Sequence, residues 1–403
     1  MVKLLTVNKT GNSMNTHFTA FERSLHLERY PAKYQHVSLQ AWDGADEYII
    51  EHVENCSLLA DTSNKDTPFI IINDDFGALT CWFNHKQPVF ISDSWISHKS
   101  VMTNLMINGL EAGNVEFCHA LTNLNDVIET KAKVVLIKIP RSLALLEQQL
   151  ITLQSVLDEN STVIAAGKVK IVQNSVLKLF EKYIGITTTS LAKKKARLIF
   201  STYTGINTET SPYPTIVSDP SIPFTLSNHA NVFCREHLDI GARILLKNLP
   251  SAMNKQVIDL GCGNGVIGVS ILDQNKDAHV TFVDESFMAV ESARQNVINH
   301  IGSEDRATFI VSNCLEELLK IGSSNYDIVL CNPPFHQQNT ITDHVAYQMF
   351  TDAKKVLKHG GELRIVGNRH LDYPIKLKKL FGGYEVIDSN KKFSILSTYK
   401  ARQ

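Results

Sequence analysis

Along this chain, short apolar runs that stop abruptly at a turn alternate with longer stretches whose apolar residues recur at helical spacing. Residues 1 to about 20 are polar and are expected to be frayed. Residues 24–30 alternate and stop at Pro31, which predicts a strand, and residues 42–53 predict a helix with Tyr48, Ile49 and Ile50 on its apolar side. Phe69, Ile70, Ile71 and Ile72 form an unbroken apolar run closed by Asn73-Asp74-Asp75-Phe76-Gly77, the pattern of a buried parallel strand entering a turn. Strands are predicted again over 88–93, 133–139 and 162–166, with helices through Val101, Leu105 and Met106, over 143–157, and ending at 177–180. A basic hairpin carrying Lys193, Lys194, Lys195 and Arg197 closes this half. Residues 201 to about 230, rich in Thr, Ser, Pro and Asn, read as a linker.

The alternation then begins again. Helices are predicted over 238–249, 288–297 and 345–357, and strands over 256–260, 280–284, 308–311, 328–331 and 362–366, before a basic closing segment with Lys391 and Lys392. The second series overlays the first with a period of about 190–200 residues, the signature of an internal repeat. Val89-Phe90-Ile91-Ser92-Asp93 corresponds to Thr281-Phe282-Val283-Asp284-Glu285, and Val134 to Pro140 to Ile328 to Pro334. Lys195 to Tyr203 likewise corresponds to Lys392 to Tyr399. The expected fold is α/β, with two copies of one Rossmann-like sheet. The expected boundaries are residues 1–205 for the first domain, 206–230 for the linker and 231–403 for the second domain.

Composition narrows the partners. The net charge of −1 provides no overall basic field, so any nucleic-acid site must be a local patch. Seven cysteines without a CxxC pair point to reduced thiols in a cytoplasmic protein and to no metal site. No signal peptide and no membrane span are expected.

The chemistry concentrates in the second copy. Asp259-Leu260-Gly261-Cys262-Gly263-Asn264-Gly265 is a strand end running into a glycine turn, where backbone N–H groups can approach a ligand. Asp284, followed by Glu285, ends the next strand and can accept ribose hydroxyls; Asn313, after the third, can reach an adenine edge. Gly263 to Gly268 formally matches a dinucleotide fingerprint, yet Asp259 before the turn would repel a pyrophosphate and suits an ammonium. S-adenosylmethionine carries that ammonium together with a ribose and an adenine. The fourth strand ends at Asn332-Pro333-Pro334-Phe335. The prolines stiffen this corner, and the Asn332 amide and Pro333 carbonyl can accept the hydrogens of a flat exocyclic amine. Phe335 offers a stacking face. Read alone, such a corner is also an ordinary strand-to-loop turn. The first copy lacks this equipment: its turn holds one glycine and its fourth strand ends Lys138-Ile139-Pro140-Arg141.

Taken together, these residues resemble the bacterial large-subunit (23S) rRNA guanine-N2 methyltransferases of the RlmG type. The resemblance rests on Leu39-Gln40-Ala41-Trp42-Asp43, Asn73 to Leu79 and Leu143 to Leu150 in the first half. In the second it rests on Asn228 to Phe233, Asp259 to Gly268, Asn332 to Gln338 and Asn368 to Tyr373. Cys234 departs from it, standing where the family usually has Ser. The resemblance implies two tandem class I methyltransferase domains, the first degenerate, and methyl transfer to N2 of a guanine in 23S rRNA; because RNA is read best where bases are unstacked, naked or pre-assembly rRNA is the expected substrate. Phe233, His336, Arg369, His370, Lys376, Lys378 and Lys379 are candidates for RNA contact, with Lys168, Lys170, Lys193, Lys194, Lys195 and Arg197 in the first domain. Two other readings stay open at this point: methylation of adenine N6 or a glutamine amide, and a non-catalytic RNA scaffold.

Overall fold

The computed structural model describes residues 15–32, 39–59, 67–205, 210–322, 325–334 and 340–401. The chain divides between Ser211 and Pro212 into two compact units. In the first, β1 (His17–Ala20) and β2 (Arg23–His26) form a small hairpin. After it come α1 (Gly44–Asn55), β3 (Phe69–Ile72), α2 (Ala78–Trp82), β4 (Val89–Ser92), α3 (Trp95–Ile107), β5 (Glu116–His119) and β6 (Val134–Lys138). The unit closes with α4 (Leu143–Leu153), β7 (Thr162–Lys168), α5 (Asn174–Tyr183), β8 (Gly185–Thr189) and β9 (Ala196–Tyr203).

The second unit opens with a hairpin of β10 (Thr215–Val217) and β11 (Leu226–Asn228). It continues with α6 (Ile240–Leu246), β12 (Gln256–Leu260), α7 (Val266–Gln274), β13 (His279–Asp284), α8 (Phe287–Ile301), β14 (Ala307–Val311) and α9 (Glu316–Lys320). Then come β15 (Tyr326–Cys331), α10 (Thr340–Val356), β16 (Leu357–Asn368), α11 (Tyr373–Phe381), β17 (Glu385–Ser389) and β18 (Phe393–Tyr399).

Each unit holds a seven-stranded mixed sheet, ordered β5-β4-β3-β6-β7-β9-β8 in the first and β14-β13-β12-β15-β16-β18-β17 in the second. Position by position the two orders are the same. The first five strands of each order run parallel, and the last two join antiparallel. Parallel strands need helices on both faces, which is why the central strands are largely apolar. On β3, Phe69 and Ile71 pack with Ile49, Leu79 and Val101, while Ile70 and Ile72 pack on the opposite face with Leu146, Leu150 and Phe180. On β12, Val257 packs with Leu245, Ile267 and Ile271, while Ile258 and Leu260 face Phe350, Ala353 and Leu377.

Three departures from the sequence reading have physical causes. Residues 17–20, expected to be frayed, pair with Arg23–His26, which is shorter than the strand expected over 24–30. Edge strands β5 and β17 were not foreseen, because an edge strand with one or no covered face carries no apolar run. Of the stretch expected to be a linker, residues 212–230 are built into the second unit. Val217, Ile222, Phe224 and Leu226 are buried in its core, their few apolar positions hidden among Ser, Thr and Pro.

No helix among the described residues is long and apolar enough to cross a membrane. No group of three or more His, Cys, Asp or Glu among them is arranged to hold a metal ion.

Candidate active site

In the second unit the strand order reverses between β12 and β15, and the crevice beyond their carboxyl ends is where open α/β sheets bind ligands. The turn after β12 sits at this point. Gly261, Gly263 and Gly265 all have positive φ (70°, 54° and 77°), a backbone that side chains disfavour. The amides of Gly261 and Cys262 both donate to the Val283 carbonyl, latching the turn to β13. A Cβ on Gly268 would lie 2.2 Å from the Phe282 ring and one on Gly265 2.7 Å from Ala293, so these glycines serve packing. A Cβ on Gly263 would meet nothing within 4 Å, so that part of the turn faces open space.

The two expected carboxylates also hold the turn. Asp259 is 2% exposed, and its Oδ2 accepts from the Gly268 amide at 2.9 Å. Burial, with Asp284 nearby and opposed by that hydrogen bond, pushes its pKa up to about 7. Asp284 is half-buried and accepts from the Gly263 amide at 2.9 Å and from the Ser286 amide at 3.1 Å; burial raises its pKa as well. Glu285 beside it is half-buried. Asn313 is buried after β14 and donates to Glu316 at 2.6 Å. Cys262 is 6% exposed, and burial pushes its thiol well above the usual range, so it is not a thiolate nucleophile.

At the end of β15, the Asn332 Nδ2 donates to Asp239 Oδ2 at 3.0 Å. Its Oδ1 is buried and has no hydrogen-bond partner among the described residues. Asp239 is the N-cap of α6, accepting from the Ala242 amide at 2.9 Å. The Cys234 thiol approaches the other carboxylate oxygen at 3.9 Å; burial and Asp239 push that thiol up to about 11, so it stays protonated. Sequence reasoning missed Asp239. The signal available was an aspartate opening a predicted helix, which reads as a cap and nothing more. Pro333 is buried and Pro334 exposed, while Phe335 and His336 lie outside the described residues. Asn368, at the end of neighbouring β16, also has a buried Oδ1 without a partner among the described residues.

Residues 15–205 match the RLMG N-terminal domain and residues 223–397 the methyltransferase small domain. The ribosomal RNA large subunit methyltransferase G of Pseudoalteromonas atlantica is 54% identical over 391 residues, covering 96% of this chain and 100% of the relative. The chain belongs to the ribosomal RNA large subunit methyltransferase G family. The protein of that name from Klebsiella pneumoniae (strain ATCC 700721 / MGH 78578) is 47% identical, covering 94% of this chain and 96% of its own. Among solved structures, the Thermus thermophilus 16S rRNA N2 G1207 methyltransferase (RsmC) in complex with AdoMet and guanosine aligns with a TM-score of 0.71 at 17% identity. The alignment spans 96% of this chain and 97% of that one, a likeness of fold. As a member of the methyltransferase G family, the chain is an rRNA methyltransferase that draws its methyl group from S-adenosylmethionine. The open face at Gly263 and the unpartnered Asn332 oxygen suit that chemistry.

The first unit of this methyltransferase G chain fills the same corner with its own charges. The register pairs Ile72 with Ile137 as it pairs Leu260 with Cys331, so Lys138 stands where Asn332 stands. Asp43 caps α1 as Asp239 caps α6. Lys138 Nζ lies 2.7 Å from Asp46 and 3.1 Å from Asp43, and these carboxylates keep the buried ammonium protonated. At the turn, Asn73 replaces Gly261 and exchanges two amide hydrogen bonds with Gln149, at 2.9 and 2.8 Å. Buried Asp74 accepts from Gly77 and Thr80.

The basic candidates divide. Lys193 pairs with Glu51 and Lys194 with Glu47, so the hairpin turn is neutralised by α1. A Cβ on Gly44 would lie 2.2 Å from the Lys194 carbonyl, which shows how closely the turn is seated. Lys195 is exposed, and Arg197 is half-buried with an unpartnered Nε among the described residues. Lys168 lies 3.7 Å from Asp43. In the second unit Lys376 is buried and paired with Asp372, which removes it as a backbone contact. Arg369, His370, Lys378 and Lys379 are exposed, and Phe233 is 57% exposed.

Proposed function

We propose that the second unit transfers the methyl group of S-adenosylmethionine to N2 of a guanine in large-subunit (23S) rRNA. The observation that carries this reading is the buried Asn332 Oδ1, an acceptor held in place with no partner among the described residues. A guanine amine supplies the missing hydrogen. When bound, the cofactor supplies an electrophilic methyl group. The chain then has to position rather than activate. The Gly261–Gly265 turn and Asp259 would hold its methionine end, Asp284 and Glu285 its ribose, and Asn313 its adenine edge. Asn332 Oδ1 and the Pro333 carbonyl would take the two N2 hydrogens and turn the nitrogen lone pair toward the methyl carbon. The carbon–sulfur bond breaks as the carbon–nitrogen bond forms, and N2 then releases one proton to solvent. Phe335 would stack on the base, which must be swung out of any helix first. His336 would lie beside it.

The first unit, in this reading, binds no cofactor and serves structure and RNA binding, through Lys195 and Arg197 rather than the paired Lys193 and Lys194. Phe233, Arg369, His370, Lys378 and Lys379 are the contacts proposed for naked or pre-assembly rRNA, in which bases are accessible. The protein would act in the cytoplasm.

Incubation of the protein with radiolabelled S-adenosylmethionine and separate pools of 23S rRNA, 16S rRNA, DNA and protein tests the substrate. Label should enter naked 23S rRNA, and nuclease digestion should yield N2-methylguanosine. Label confined to DNA or protein, or a methyl group elsewhere on the base, would overturn the reading.

A further inference from the structure

We propose that Asp239 is a positioning residue for methyl transfer: by holding the Asn332 NH2 group at 3.0 Å it fixes the amide so that Oδ1 faces the target amine. This rests on the reading of the corner given above. A carboxylate only accepts hydrogen bonds, so it admits the NH2 end of a neighbouring amide and excludes the oxygen end. Without it the Asn332 amide is free to rotate by half a turn. Its own NH2 would then meet the incoming NH2, donor against donor, and the base could not be seated. The same hydrogen bond polarises the amide and strengthens Oδ1 as an acceptor while positive charge develops on the nucleophilic nitrogen.

Asp239 is itself immobilised. Its Oδ2, the atom that receives Asn332, also receives the Ala242 amide at 2.9 Å as the cap of α6, and Cys234 lies against Oδ1. Ahead of α6, Ser227 and Asn296 exchange backbone and side-chain hydrogen bonds at 2.7 and 3.2 Å, and the His229 amide donates to Ser292 at 3.0 Å, fastening this segment to α8. The first unit gives an independent sign that the fold builds this contact. There the helix-capping Asp43 reaches the last residue of β6 at 3.1 Å, although that residue is Lys138. The cap-to-corner reach belongs to the scaffold; an asparagine at its far end turns it into an orienting device.

The test separates cap from clamp. Serine caps a helix nearly as well as aspartate but is too short to reach Asn332, whereas asparagine keeps an acceptor oxygen in reach of both groups. In D239S, kcat for 23S rRNA should fall on the order of 10- to 100-fold, as loss of a buried orienting bond does. The KM for RNA, the calorimetric affinity for S-adenosylmethionine and the unfolding midpoint should stay near wild type. D239N should return kcat to within a few fold of wild type. D239T, a second capping variant, replaces D239S if the latter does not fold. N332A is measured in parallel. If N332A methylates normally, the corner is not the site and the functional reading falls with the inference. If N332A is inactive while D239S turns over at the wild-type rate, or if D239N is as slow as D239S, only the role of Asp239 is overturned.

Discussion

Asp259 shows what burial does to a single carboxyl group. It is almost fully buried, its carboxylate receives the Gly268 amide, and its folded pKa of about 7 lies above the ordinary value near 4. A raised carboxyl pKa means that the folded state holds the proton more tightly than the unfolded chain does. The associated stability is complete below about pH 4 and is lost as pH rises through about 7. Asp259→Asn keeps an oxygen for Gly268 and carries no charge. Without cofactor, its stability gain over wild type should grow by up to about 1.4 kcal/mol per pH unit between pH 4 and 7, then level off. Urea unfolding at several pH values measures this, and a gap that does not change with pH would show that Asp259 is not buried as described. That Asp259 stands at a strand end just before a glycine turn was legible in the sequence. That it is pinned by an amide nine residues on was not, because sequence shows only the residue and not the geometry of the turn.

At the scale of the element, the strand–turn–helix from β12 to α7 separates glycines that fit from glycines that face outward. Gly268→Ala would drive a methyl group into Phe282, which is fully buried and stacked on Phe309 at 5.1 Å, so the ring has little room to yield. A loss of roughly 1–3 kcal/mol is expected in denaturant unfolding. Gly263→Ala meets no atom and has only its positive φ to accommodate, about 1–2 kcal/mol, but it obstructs the open side of the turn. Its cofactor affinity should fall further than that of Gly268→Ala. Equal losses of affinity in the two variants would count against the turn as the cradle. The strands β3, β6, β12 and β15 were readable because both faces are covered and most positions are apolar. The hairpin Thr215–Val217 with Leu226–Asn228 was not, since three-residue strands among Ser, Thr and Pro leave no period to detect.

For the whole molecule, two sheets of one strand order carry different equipment at the same corner. Hydrogen exchange with and without S-adenosylmethionine follows the two halves separately. Added cofactor should slow exchange at residues 261–268 and leave residues 73–80 unchanged; protection in both would overturn the assignment of binding to the second half alone. The repeat was legible because matched stretches, such as Lys195 to Tyr203 and Lys392 to Tyr399, kept their apolar positions and both became the antiparallel strand next to the edge. The neutralisation of Lys193 and Lys194 was not, because their partners Glu51 and Glu47 lie far upstream.

Lys138 has a consequence for any attempt to rebuild the first corner in the image of the second. Its ammonium is the counterion of buried Asp46 and of half-buried Asp43 beside it. An asparagine in its place would leave buried Asp46 beside Asp43 without a cation, so one substitution alone cannot give this corner the layout found around Asn332.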